Sequence, residues 1–130
     1  MVRVWYAAGE EPAAVERRVE SATPSSALAE LVRGPTAAER ERGLTSWWSD
    51  ETAGVVGSVT ESDGRLVVDF RDLPRLIPNA SSSAGSTQLL TSLDSTLFQF
   101  EDVEAVEYRL EGSCDAFWNW LQRGCTVVRR

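Results

Sequence analysis

The sequence contains no histidine and no lysine, so all thirteen of its cationic side chains are arginines. Without histidine the chain lacks the commonest general base and a principal ligand of transition metals. A formal charge of -7 at pH 7 disfavours nucleic acids and anionic membranes as partners, because both require clustered cations. No apolar run approaches the roughly 18 residues that a membrane-spanning helix needs. We therefore expect no metal, no cofactor and no nucleic-acid partner.

Cysteine is also scarce, with only Cys114 and Cys125 present. Too few ligands accompany them for a zinc site, and their spacing is not that of a redox CxxC motif. A disulfide between them is our favoured interpretation, and it implies an oxidising compartment. The alternative is a pair of buried free thiols, which are common in protein cores.

The first residues do not have the pattern of a secretory signal. We therefore expect either a cytoplasmic protein or an exported, extracytoplasmic one whose leader or membrane anchor lies outside these residues. The length of 130 residues, with 42% hydrophobic and 25% charged residues, is typical of one globular domain spanning 1–130.

The strongest local pattern is an amphipathic helix from Ser82 to Phe100. Its apolar residues Leu90, Leu93 and Leu97 recur at helical spacing. We expect this helix to cover a sheet, and the other elements to fold around it.

The first third of the chain predicts one strand and two helices. Val2–Ala8 alternates as a strand does, whereas Ala13–Glu20 is equally compatible with a strand and a helical turn. Thr23 and Pro24 start a helix that ends at Gly34. A capping box in residues 36–39 starts a second, short helix, and its alternating charges predict a solvated face.

The remaining segments predict a hairpin, a loop, a strand and a small helical tail. Their predicted ranges are Gly54–Phe70 for the hairpin with its Asp-Gly turn, Arg71–Ser86 for an irregular exposed loop, Val103–Leu110 for the strand, Asp115–Gln122 for the helix and Thr126–Val128 for an edge strand. This order, β-α-β-β-α-β, favours an α+β fold in which helices pack on one face of a small mixed or antiparallel sheet. A ferredoxin-like arrangement is one possibility.

Tryptophans are the best candidates for a binding surface. Trp118 and Trp120 lie about 200° apart on a helix, so one can be buried while the other faces outward, although both can also belong to the core. Trp47 and Trp48 raise the same question. Exposed tryptophans would serve a protein interface or a small-ligand or glycan receptor. The third possibility, a hydrolase, would have to use carboxylates such as Asp50 and Glu51.

Several segments together resemble the GerMN domain of sporulation and spore-germination proteins. The block ALAELVRGPTAAERERGLTSW, from Ala27 to Trp47, is similar to the family's Gly-Pro-Thr and Gly-Leu-Thr-Ser pattern. The hairpin that ends in VDF at Phe70 and the helix that ends in TLFQF at Phe100 follow in the family's order. The resemblance covers residues 2–112 and leaves 113–130 as a Trp- and Cys-containing extension.

The resemblance implies a non-catalytic module of the bacterial cell envelope. Members of the family are implied to act through contacts with other envelope proteins or with themselves. They are usually held outside the membrane by a lipid anchor or a single helix, and no catalytic residue of the family can be transferred to this chain. On this basis the membrane is reached only through an anchor that these residues do not contain.

Overall fold

The computed structural model describes residues Met1–Arg130, and its strands form two sheets, whereas we had expected one. The strands are β1 (Val2–Ala8), β2 (Glu11–Arg17), β3 (Leu44–Thr45), β4 (Val56–Ser62), β5 (Arg65–Phe70), β6 (Ala105–Leu110) and β7 (Val127–Arg129). The helices are α1 (Pro24–Leu31), α2 (Ala37–Glu41), α3 (Leu73–Leu76), α4 (Ser83–Leu97) and α5 (Cys114–Trp120). Mixed helices and strands confirm the α+β class.

The first sheet is antiparallel and has the order β2-β1-β3. The ambiguous segment at Ala13–Glu20 is mostly strand, because β2 begins at Glu11 and pairs along the full length of β1. Gly9, with a φ of 64°, allows the chain to reverse within two residues. Helices α1 and α4 both pack on β1.

The second sheet has the order β4-β5-β6-β7. Asp63 and Gly64 both have positive φ, as the tight turn of the predicted β4–β5 hairpin requires. Strands β5 and β6 are parallel, and a parallel pair needs a long crossover connection. Residues 71–104, which include α4, supply that crossover. The division of the strands over two sheets distinguishes this topology from the ferredoxin-like possibility.

Helix α4 confirms the predicted amphipathic helix, although it ends at Leu97. The hydroxyl of Ser82 accepts a hydrogen bond from the Gly85 N–H at 3.0 Å and so caps its first turn. Leu89, Leu93 and Leu97 are fully buried along one face. The helix therefore lies at the centre of a core of 24 buried hydrophobic residues that contains side chains from both sheets.

The segment Arg71–Ser86, which we expected to be an irregular exposed loop, is largely ordered and partly buried. It contains α3 and a 3-10 turn, Pro78–Ser81, before α4 begins. Leu73, Ile77 and Ala80 are all buried. Pro74 does not break α3, because a proline in the first turn gives up no intrahelical hydrogen bond. The prediction was wrong because it gave the prolines more weight than the apolar spacing.

The charged helix α2 is also not simply a solvated face. Glu39 is 7% exposed, and both of its carboxylate oxygens accept hydrogen bonds from the Arg17 guanidinium, at 2.6 and 2.7 Å. The capping box at Thr36 is present as predicted. A carboxylate that caps its own helix is thus also paired with a cation from β2.

The predicted disulfide closes a loop in the C-terminal segment. Cys114 at the start of α5 is bonded to Cys125, with their Cα atoms 5.5 Å apart. Phe117 and Trp118 on α5 are buried and pack with Tyr108 and Phe70. Strand β7 then adds an antiparallel edge to β6.

Candidate functional site

The four candidate tryptophans have different environments. Trp48 is fully buried, and its indole N–H donates to the Ser92 hydroxyl at 3.0 Å. Trp118 is 3% exposed, and its indole N–H has no acceptor. Trp47 and Trp120 are half-buried. Burial therefore takes Trp48 and Trp118 away from any outer binding surface, and Trp47 and Trp120 remain available.

Trp120 packs against the aromatic core and lines neither of the two main clefts. Its ring lies 6.3 Å from that of Phe117 in an edge-on arrangement. It is the last residue of the short helix that begins at Cys114. We regard this side chain mainly as cover for the core.

Trp47 lines a cleft of about 600 Å³, a volume in the range of small-ligand sites. The β1–β2 turn, the segment after β3 and the first half of α4 form its walls. The side chains that the argument below uses are those of Glu10, Glu11, Thr45, Trp47, Gln88 and Thr91.

The Trp47 ring is held in place by the first turn of α4. Its indole N–H donates to the Gly85 carbonyl at 3.1 Å. A Cβ at Gly85 would lie 3.0 Å from the Trp47 ring, 2.7 Å from the Ser82 hydroxyl and 2.9 Å from the Asn79 carbonyl. Gly85 therefore allows the ring to approach the helix, and the indole N–H is already bonded within the protein.

Several polar side chains around Trp47 have no partner within the protein. No hydrogen bond or ion pair involves the side chains of Thr45, Gln88 or Thr91 on the walls of the cleft. The same is true of the exposed carboxylates of Glu10 and Glu11 at the β1–β2 turn. The cleft thus combines a fixed aromatic ring with unpaired hydroxyl, amide and carboxylate groups.

A second, more open groove of about 520 Å³ follows the Gly-Pro-Thr segment. Asp50 and Glu51, the carboxylates considered for a hydrolase, are both exposed there beside Arg40. A Cβ at Gly34 would lie only 2.4 Å from the Trp48 carbonyl oxygen, and its φ is 82°. Glycine is required at this position because two backbone segments nearly touch.

The two sheets each expose one long edge strand. Strand β2 carries Pro12, Glu11 and Glu16, which discourage pairing with another strand, and its end is tied to α2 through Arg17. Strand β4 has the sequence VGSVTES, which contains no proline and a single charge, Glu61, and its bulge between Val56 and Ser58 disrupts only the first residues of the edge. The edge of β4 is therefore the less protected one.

Several ionisable groups have shifted pKa values, and of these only Tyr6 lines one of the two clefts. Hydrogen bonds from Arg17 hold the pKa of Glu39 at about 2, although burial opposes them. Burial raises the pKa of Tyr6 to about 12. Burial also raises the pKa of Asp94, whose carboxylate accepts a hydrogen bond from Tyr108 at 2.7 Å.

On the outer face of the second sheet, Glu107 forms ion pairs with Arg109 and Arg65. The hydrogen bond from Arg109 is the largest cause of the lowered pKa of Glu107. The chain contains no group of three or more histidine, cysteine, aspartate or glutamate side chains arranged to hold a metal ion. No helix is both long enough and apolar enough to cross a bilayer.

Sequence reasoning identified Trp47 but not its neighbours in the cleft. Glu10, Gln88 and Thr91 were not among the candidate site residues. Trp47 contacts a carbonyl 38 residues further along the chain. No local pattern signals such a contact, so the only sequence signal was the pair of adjacent tryptophans.

Comparison with known proteins identifies the family. A family model described as "Germane: Sporulation and spore germination" matches residues 4–114. No curated protein matches the chain.

Two solved structures are similar in fold. The first GerMN domain of the sporulation protein GerM from Bacillus subtilis has a TM-score of 0.64 and 20% identity, with 87% of this chain and 84% of that domain covered. The tandem GerMN domains of the same protein match with a TM-score of 0.63 and 22% sequence identity, and this chain spans 44% of their length. Together with the family match, this shows that the chain belongs to the sporulation and spore germination family and carries a GerMN domain.

Proposed function

We propose that this chain is a non-catalytic module of the cell envelope that acts through contacts with other envelope proteins or with a second copy of itself. The observation that carries the proposal is the open edge of β4. Its outward backbone groups are unpaired, and an added strand would satisfy them.

The rest of the surface offers few alternatives for a protein contact. Met1, which is 66% exposed, is the only large hydrophobic residue that is exposed. A contact driven by a broad apolar patch is therefore disfavoured, whereas pairing through backbone hydrogen bonds needs no such patch. Edge pairing is the mode of association that this surface supports best.

We also propose that the chain catalyses no reaction. The family is described by a cellular process and not by a chemical reaction. The carboxyl group with a raised pKa, Asp94, is engaged by Tyr108 and lines neither cleft. A carboxylate-dependent hydrolase would be expected to carry such a group within its cleft.

An extracytoplasmic location is supported by the Cys114–Cys125 disulfide, since disulfides persist mainly in oxidising compartments. Attachment to the membrane would then depend on an anchor outside these residues. Alkylation of thiols in intact cells, before and after reduction, tests the location. Both cysteines should resist alkylation until a reductant is added, and rapid alkylation without reductant would contradict it.

Site-specific photocrosslinking in the native cell tests the protein-contact role. A photoreactive residue replaces exposed Ser58 on β4 or, as a control, exposed Ala29 on α1. We expect adducts of defined mass from position 58 and none from position 29. Thr60→Lys on the edge should abolish the adducts, because a lysine discourages strand pairing, whereas Ala29→Lys should not.

The adduct mass distinguishes a second copy from another protein. Equal adducts from both positions, or adducts that survive Thr60→Lys in a chain that folds normally by circular dichroism, would refute pairing through β4.

A further inference from the structure

The geometry points to the Trp47 cleft as a binding site for a neutral oligosaccharide. This inference is independent of the proposed protein contacts, because β4 contributes no residue to the cleft.

The aromatic ring is the first requirement of such a site. A sugar ring presents a face of C–H groups, which packs favourably on the electron-rich face of an indole. The Trp47 ring is fixed through Gly85 before any ligand arrives, so little side-chain freedom is lost on binding. Because its N–H is already bonded, the ring contributes to ligand binding as an apolar surface.

The unpaired polar side chains are the second requirement. Thr45 and Thr91 offer hydroxyl groups, and Gln88 offers both a donor and an acceptor. They line the same cleft as the ring and come from two different elements, β3 and α4. Neutral groups that both donate and accept match the hydroxyl groups of a sugar, which do the same.

The negative charge of the cleft and of the whole chain limits which ligands can bind. Glu10 and Glu11 are the only charged residues that line the cleft, and the chain as a whole carries a formal charge of -7. Phosphorylated, sulfated or carboxylated ligands are therefore disfavoured. Carboxylate oxygens accept hydrogen bonds from sugar hydroxyls without requiring a charge on the ligand.

A basic peptide is the competing occupant, because a cation would suit Trp47 and both carboxylates. The walls favour the sugar. Thr45, Gln88 and Thr91 line the same cleft without a hydrogen-bond partner, and a lysine or arginine side chain, which has no acceptor, would leave their donor groups unused. The two carboxylates belong to an exposed turn at the margin of the cleft.

Calorimetry and NMR on the whole chain test this site with defined probes. The probes are a tetramer of N-acetylglucosamine, cellotetraose and a short arginine- and lysine-rich peptide, each titrated into the millimolar range. We expect at least one tetrasaccharide to bind, with chemical-shift changes confined to the cleft around Gln88 and Thr91.

Trp47→Ala should weaken that binding by about tenfold or more, and Thr91→Val by about threefold to tenfold. Trp120→Ala, which removes the half-buried candidate tryptophan that lies outside the cleft, should leave the affinity unchanged. Glu10→Gln should reduce sugar binding by only a few-fold, because an amide still accepts a hydrogen bond.

Absence of binding by both sugars, or binding that Trp47→Ala leaves intact, would overturn the proposal. Binding of the basic peptide alone, lost in Glu10→Gln, would assign the cleft to peptide instead. If Trp47→Ala fails to fold, Thr91→Val and Gln88→Ala decide the outcome. Thr60→Lys should leave sugar binding unchanged, so failure of one proposal does not resemble failure of the other.

Discussion

The two sheets are stabilised by different physical interactions. The β2-β1-β3 sheet is joined to α2 by an Arg17–Glu39 ion pair whose side chains are 14% and 9% exposed. The β4–β7 sheet is covered by α5, with an aromatic cluster beneath it and a disulfide beside it. It also carries ion pairs at Glu107, but the arginine partners are 46% and 39% exposed.

This difference indicates which perturbation should destabilise each sheet. A buried, doubly hydrogen-bonded pair depends strongly on the ionisation of its carboxylate, whereas pairs with half-exposed arginines contribute little. A disulfide and an aromatic cluster are insensitive to mild acid. We therefore expect the first sheet to be sensitive to acid and the second to be sensitive to reduction and to loss of aromatic packing.

Loss of aromatic packing should have the largest effect. Phe117→Ala removes a fully buried ring that contacts Phe70 and Tyr108, and it should lower the free energy of unfolding by about 4 kcal/mol. Urea denaturation measures the change. Asn119→Ala, at an exposed position of the same helix, should change it by less than about 0.5 kcal/mol. A similar decrease in the free energy of unfolding of both variants would contradict the role given to aromatic packing in the second sheet.

Removing the disulfide should cost somewhat less. Replacing Cys114 and Cys125 with serine opens a loop with a sequence separation of 11, and the free energy of unfolding should fall by about 3 kcal/mol. Hydrogen exchange should show faster amide exchange in α5 and β7. Protection in β1 and β2 should decrease only as far as global stability does. Selectively faster amide exchange in the first sheet would contradict the expectation that the disulfide stabilises mainly the second sheet.

Acid should act mainly on the first sheet. The pKa of Glu39 falls from 4.5 to about 2 on folding, so its stabilisation is complete above pH 4.5 and is lost as the pH falls towards 2. Glu39→Gln should lower stability at neutral pH by about 2 kcal/mol and flatten this dependence. Glu41→Gln, exposed on the same helix, should leave the acid dependence of unfolding unchanged. Equal pH profiles for the two variants would contradict the prediction.

The smallest effect is expected at the corresponding carboxylate of the second sheet. Glu107→Gln should lower the free energy of unfolding by about 1 kcal/mol or less, because its two arginine partners are substantially solvated. Unfolding measured at low and high salt should show a modest salt dependence that the variant loses. A loss as large as that of Glu39→Gln would mean that arginine exposure does not distinguish the sheets.

The elements that were predicted correctly are those whose signals are local. Thr23-Pro24 and Thr36 start helices, Asp63-Gly64 makes a hairpin, and the leucine spacing defines α4. Each of these depends on residues within a few positions of one another, so the sequence displays the complete signal.

The features that were missed depend on distant contacts. Arg17 and Glu39 are 22 residues apart, and nothing near Glu39 distinguishes it from the charges beside it. The division into two sheets depends on which strands meet, and element order does not determine that. Of the adjacent Trp47 and Trp48, one lines a cleft and the other is buried, because α4 packs beside them. The cleft itself joins three separate segments, so only the tryptophan could be identified in advance.

The parallel pairing of β5 with β6 also bears on how the chain is made. A ribosome adds roughly 5–20 residues each second, so β6 follows β5 out of the exit tunnel after roughly 2–7 s. During that interval β5 is paired with β4 but not yet with β6, so Leu66, Val68 and Phe70 are not yet part of the complete core. The nascent hairpin is then most prone to aggregation, and a chaperone that binds unfolded chains would be most useful at that stage of synthesis.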